Sequence, residues 1–193
     1  LTPGISQEYL AMWREFEKTE LPVYLEAAKE LEFRQGMRVV PVNVSVEAQK
    51  HVAVFEDVCN MINEADKIAV TNCSCRTIHQ KTDVSLEVCI QLNKAADYAL
   101  DRGTGRELTR EDAIEMLRLC EEEGLVHCVD NKRSLGHVIC NCDNEACANW
   151  GVDDRTFAKK FTAPSRFHAL VDAELCVACE NCIDRCFFIA IVM

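Results

Sequence analysis

Residues 176–193 read CVACENCIDRCFFIAIVM, and their spacing decides what the C-terminal end of this chain can fold into. The pattern is C-x2-C-x2-C-x3-C with an apolar run behind it. Three thiolates at that spacing sit on one compact loop and can take three corners of a cubane iron–sulfur cluster. The fourth, three residues on, usually reaches a different cluster. Cys176, Cys179 and Cys182 are therefore expected to bind one [4Fe–4S] cluster. Structural zinc, the rival reading, more often uses two separated C-x2-C pairs. Small Ala178 and polar Asn181 let backbone N–H groups turn toward the sulfurs and tune the potential. Cys186 stays open. It closes this cluster in an unusual geometry, serves a cluster whose own ligand run lies beyond Met193, or binds nothing. Phe187 stands where a proline usually follows the fourth cysteine.

Upstream lies a second cysteine constellation: Cys73-x-Cys75, Cys89, Cys140-x-Cys142 and Cys147. Each C-x-C follows an apolar strand pattern, KIAVTN before the first and HVICN around the second. Adjacent strand ends would bring both pairs to one edge of a sheet. Four thiolates that close require a metal or disulfides. A second iron–sulfur cluster, zinc, and redox-active or inert thiols are the three readings. As ligands we rank Cys73, Cys75 and Cys89 first, then Cys140 and Cys142, then Cys147. Arg76 directly follows the first pair. A guanidinium there would offset the charge of an anionic cluster and donate to sulfur, or else form a surface salt bridge. Cys59, Cys120 and Cys128 read as core filling. His79 is the one histidine with a spacing worth considering as a ligand.

Bulk composition narrows the class. The 193 residues are 49% hydrophobic and 27% charged, with only 7 glycines and 4 prolines, a globular rather than disordered profile. The net charge of −11 repels phosphate backbones and suits docking on a basic patch of a redox partner. No nucleic-acid partner is expected. Thirteen cysteines raise the rival of a secreted disulfide scaffold. The odd number, the length and the ligand-like clustering oppose it. Leu1–Lys18 shows no basic n-region or apolar h-region. No apolar run approaches the roughly 20 residues that span a bilayer. A cytoplasmic location without membrane insertion is the expectation. The first residue is not Met and the chain stops inside an apolar run, so a processed or longer natural chain is expected.

Patterning divides the chain into an N-terminal helical segment at 1–36, a cysteine-rich α+β domain at 37–150 and a linker with a terminal cysteine module at 151–193. Tyr9, Trp13 and Phe16 form one helical stripe, read first as packing and second as a partner-docking face. Leu21, Leu25, Ala28 and Leu31 continue it after Pro22. Met37–Val46 is β-rich, and a helix opening at Ser45 or Glu47 runs to about Ala65. Lys67–Thr71 is a short buried strand. A strand or helix start at 86 leads to a helix through Ala95–Leu100, and Gly103 and Gly105 make a turn. Thr109 caps the clearest helix, with Ala113, Leu117 and Cys120 inward and Gly124 at its end. Strands follow at Leu125–Val129 and His137–Asn141. Residues 143–166 are loop-like, and Phe167–Val171 is a strand.

Residues 176–191, CVACENCIDRCFFIAI, resemble half of a bacterial-type two-cluster ferredoxin domain. Residues 38–142 resemble a broader group of 4Fe–4S-binding proteins of anaerobes. The resemblance rests on RVVPVNVSV, NCSCR, the cysteine at 89, EDAIEMLRLCEEEGLVH and VICNC. It implies an α+β chain whose partial C-terminal module is ferredoxin-like. It also implies iron–sulfur redox work without naming a substrate. Asp143, Glu145 and Ala146 stand where that group carries further cysteines, leaving Cys147.

Three functions follow as expectations. The first is an electron-transfer subunit of an oxidoreductase, passing electrons from a low-potential donor to a partner protein, and this leads. The second is a redox enzyme whose cluster on Cys73, Cys75 and Cys89 keeps an open iron, with Arg76 orienting an anionic substrate. The third is a winged-helix-like redox-sensing regulator built on Thr109–Asp130, which the acidic helix opposes.

Overall fold

A computed structural model describes residues 6–27, 36–40, 57–81, 83–132, 135–147, 162–164, 170–186 and 190–191. Seven strands form one mixed sheet: β1 Met37–Val39, β2 Ile68–Asn72, β3 Glu87–Leu92, β4 Gly105–Glu107, β5 Val126–Asp130, β6 Val138–Cys142 and β7 Thr162–Ala163. Their order is β4-β2-β3-β6-β5-β1-β7. All neighbours are antiparallel except β1 and β7, which run parallel at the edge. The helices are α1 Gln7–Thr19, α2 Leu21–Ala27, α3 Val58–Glu64, α4 Ser74–His79, α5 Lys94–Asp101, α6 Arg110–Glu122 and α7 Asn181–Arg185. The chain is α+β in class. Among the described residues no helix is long and apolar enough to cross a membrane.

Strand alternation separates two unlike faces. Ile68 and Val70 of β2, Ile90 and Leu92 of β3, Ile139 of β6 and Val129 of β5 point one way. They join Val58, Met61 and Ile62 of α3 and Ala113 and Leu117 of α6 in the main core. The residues between them point the other way, and there the row across the sheet reads Thr71, Cys89, Cys140, Cys128. The sheet thus spends one face on aliphatic packing and carries its sulfur on the other. α5 packs against β2, β3 and β4. Its Ala99 leaves no room beside Gly105, where a Cβ would stand 2.8 Å from the carbonyl oxygen of Val70.

The sequence reading matches α3, β2, β3, α5, α6, β5 and β6, but it places no helix at α4. Thr109 caps α6 by accepting the Asp112 N–H on its Oγ1 at 3.1 Å. Gly124 follows with φ +79°, the left-handed turn that glycine takes without a Cβ clash. Thr109→Ala is expected to cost about 1 kcal/mol. A urea midpoint measures it, Thr109→Ser should restore most of it, and an unchanged midpoint in Thr109→Ala would remove the cap from the account.

Three strand expectations change. Gly105 does not merely turn the chain but opens β4, which pairs with β2. Thr162–Ala163, inside the stretch read as loop, joins the sheet as β7. Leu170 and Val171 carry no strand, while the rest of that expected strand, the expected strand beyond Val40 and the start of the helix before Asp57 lie outside the described residues.

The N-terminal helix turns a different face inward than expected. Tyr9 and Trp13 are exposed, whereas Leu10 is buried and Arg14, Phe16 and Glu17 are half-buried. The reason is polar docking against α4. Arg14 Nη1 donates to the Ile78 carbonyl at 2.5 Å, and Gln80 Nε2 donates to Gln7 Oε1 at 2.7 Å. Carbonyls at the end of α4 lack helical partners and draw a guanidinium. Trp13 and Phe16 still stack on each other with ring centroids 5.3 Å apart.

Candidate metal centre

β2 and β6 both run antiparallel to β3, so their C-terminal ends lie at one end of the sheet with the start of β3 between them. That end carries six of the expected ligand cysteines. Cys73 follows β2 and is the N-cap residue of α4, Cys75 lies in the first turn of α4, and Cys89 sits near the start of β3. Cys140 and Cys142 occupy alternate positions at the end of β6, and Cys147 lies in the turn after it. None of the six is disulfide-bonded, and all are half-buried or buried.

These thiols are linked pairwise. Cys73 interacts with Cys75, Cys89 with Cys140, and Cys140 with Cys142. Cys142 in turn meets Cys147 and Cys128. Cys128 fills the core as expected, buried beside Cys142 and Cys147. The β5–β6 register puts it directly opposite Cys140, so it extends the string to seven sulfurs. Its strand alternation was visible in the sequence, but its partner strand was not. Among the described residues no three or more Cys, His, Asp or Glu side chains converge as an ion-holding group.

Mutual interaction and burial favour the protonated state along the string. The Cys73 thiol is pushed well up, first by its bond with Cys75 and then by burial. Cys89 rises through Cys140 and burial. Cys140 rises chiefly through Cys142. Cys142 is pushed up to about 12, first by Cys128. A soft metal group would displace these protons on binding, and an all-sulfur donor set suits iron–sulfur clusters or zinc.

Arg76 behaves differently from a surface residue. It is fully buried, although it sits in a short helix at the end of the sheet. Nε donates to Asp143 Oδ2 at 2.7 Å and Nη2 to the Asn141 carbonyl at 2.6 Å, while Nη1 donates to the Ser85 carbonyl. Asp143 is also buried and accepts the Glu145 and Ala146 N–H groups on Oδ1 at 2.8 and 2.7 Å. Burial raises the Asp143 carboxyl, but Arg76 and those two N–H groups outweigh it and hold the group below its ordinary value. Burial likewise lowers Arg76, and the bond to Asp143 and the charge of that carboxylate help to outweigh it. The guanidinium therefore ties α4 to the β6 turn and places positive charge between the two C-x-C pairs. Asp143 stands where more cysteines had been expected from the resemblance, and its role is to anchor that arginine.

His79 faces α1 rather than the thiols. Its Nε2 lies 2.9 Å from Glu17 Oε2.

The terminal cysteines form a separate, open loop. Cys176, Cys179 and Cys182 are exposed and Cys186 is half-buried. Ala178 and Glu180 adopt φ +53° and +64°, left-handed conformations that non-glycine residues seldom take without a functional constraint. Left-handed residues in alternation with ordinary ones are the kind of backbone that can present N–H groups to an anion. Asp172 anchors the entry: its carbonyl accepts the Leu175 and Cys176 N–H groups, and its Oδ1 accepts that of Glu174. Cys186 Sγ accepts the Ala190 N–H at 3.4 Å. Leu170, Leu175 and Val177 are exposed around the loop. Comparison with protein-family models, with curated proteins and with solved structures finds no match to this chain.

Proposed function

We propose that this chain is an iron–sulfur electron-transfer protein or subunit, with one [4Fe–4S] cluster on the terminal cysteines and a second on the strand-end thiols. The observation that carries the reading is the gathering of Cys73, Cys75, Cys89, Cys140 and Cys142 at one sheet end from three separate stretches of chain. Core filling alone does not require sulfur at each of those positions. A cubane bound at either set would supply one-electron exchange without proton transfer or bond cleavage.

The residues supply the rest. Cys176, Cys179 and Cys182 offer exposed ligands on a ferredoxin-like loop, accessible to a partner. The strand-end thiols offer a drier site, with Arg76 to offset the charge of a thiolate-bound group. The net charge of −11 favours docking on a basic partner surface. A low-potential donor protein and an oxidised partner protein would complete the transfer, in a cytoplasmic and anaerobic setting. Arg76 commits all three guanidinium nitrogens to Asp143, Asn141 and Ser85, so no observation favours it as an anchor for an anionic substrate.

Protein purified without oxygen should contain about eight irons and eight sulfides per chain, and reduction should give the EPR signal of two interacting clusters. Zinc without iron would overturn the reading.

A further inference from the structure

A run of side-chain contacts links the terminal cysteine loop to the strand-end thiols across α6. Arg185 lies between Cys182 and Cys186, and its Nη2 donates to Glu121 Oε2 at 2.6 Å. The other carboxylate oxygen, Oε1, stands 3.1 Å from Nε2 of His127. His127 is buried, and its Nδ1 lies 2.5 Å from Asn141 Oδ1. Asn141 Nδ2 donates to the Val88 carbonyl at 2.6 Å. That bond orients the amide, so Oδ1 is the acceptor facing the ring and Nδ1 is the donor. Asn141 is the residue between Cys140 and Cys142.

The strand register explains the arrangement. His127 pairs with Asn141 across β5 and β6, and both side chains fall on the α6 face. The thiols of Cys140 and Cys142 fall on the opposite face. Glu121 lies in the last turn of α6, over the same sheet end. One strand of backbone therefore separates the carboxylate from the thiol string.

Ordinary surface ion pairs contribute little because two mobile side chains must be ordered to meet. Glu121 differs, since His127 already holds its carboxylate in place. Its carboxyl is held below the usual carboxylate range, first by the His127 bond and then by the charges of His127 and Arg185, against the opposing effect of burial.

We propose that Glu121, positioned by His127, is the docking carboxylate for the terminal cysteine loop, and that Arg185 latches the loop there so that both cysteine sets work as one electron-transfer unit. Docking needs no metal; the electron-transfer part rests on the iron–sulfur reading above.

The test uses the full chain purified without oxygen, with Arg185→Glu, Glu121→Arg and the double reversal. Hydrogen exchange is followed over residues 172–186, whose Cys176, Ile183 and Cys186 amides are hydrogen-bonded. Each single reversal should speed exchange there by about five-fold, and the double reversal should restore protection. His127→Gln should loosen the same segment to a smaller extent. In iron-loaded protein, the EPR interaction between the reduced clusters should weaken in both single reversals and return in the double. Unchanged exchange in the single reversals, or no rescue in the double, overturns the latch. Iron-free protein whose exchange follows the expected pattern supports the latch while overturning the iron–sulfur reading. Iron-loaded protein with that exchange pattern but constant spin interaction overturns the single electron-transfer unit.

Discussion

Arg76→Ala is expected to destabilise the protein by about 3–5 kcal/mol, read as a fall in the urea midpoint under anaerobic conditions. The substitution leaves Asp143 buried without its cation. It also strips a donor from the carbonyls of Asn141 and Ser85, and an unpaired buried acceptor costs its full desolvation. Arg76→Lys should recover only part of the loss. An ammonium is a point donor and cannot span an aspartate and two carbonyls held in different directions by one planar fork. Arg76→Met combined with Asp143→Leu should be less harmful than Arg76→Ala alone, because removing both charges removes the unpaired one. A loss below about 1 kcal/mol for Arg76→Ala would show that the pair behaves as a surface bridge.

Cys89→Ser combined with Cys140→Ser should remove about four irons per chain and leave the terminal cluster loaded. These two sulfurs are the middle of the string, joined to each other and flanked by Cys73 and Cys142. A hydroxyl is a harder and poorer ligand for iron than a thiolate. The fold should survive, because Gln91 Nε2, which donates to Cys89 Sγ at 3.1 Å, can donate to a serine oxygen there. Cys120→Ser is the control. Cys120 is buried against Val88 and Leu125 on the α6 face, and its thiol is pushed up to about 12 by burial first. Its loss should leave iron unchanged. Iron retained in the Cys89 and Cys140 variant, or lost in the Cys120 variant, would displace the second cluster from the strand-end thiols.

The middle of the fold was legible because local rules and tertiary packing agree there. Thr109, the Ala113–Leu117–Cys120 stripe and Gly124 define α6 by capping, periodicity and a left-handed stop, each within one helix length. The packing reading of the N-terminal stripe fails at Tyr9 and Trp13 because Tyr9, Trp13 and Phe16 are as periodic as Leu10, Arg14 and Glu17. Hydrophobicity favours the first set, but the helix docks through polar contacts with α4 that a single segment does not reveal. β4 and β7 were missed because two- and three-residue strands carry too few alternations to register. Their pairing is set by β2 and β1.

The same division holds at the cysteines. Sequence alone determined the terminal loop's cysteine spacing and the placement of each C-x-C at a strand end, because both are short-range patterns in the backbone. Tertiary structure alone decided which sulfurs meet. The order β2-β3-β6-β5 brought Cys89 and Cys128 to either side of Cys140. It turned Arg76 inward onto Asp143, 67 residues away, and set Glu121 between His127 and Arg185. Those neighbours depend on strand order and register, which arise from the aliphatic face of the sheet closing over α3 and α6.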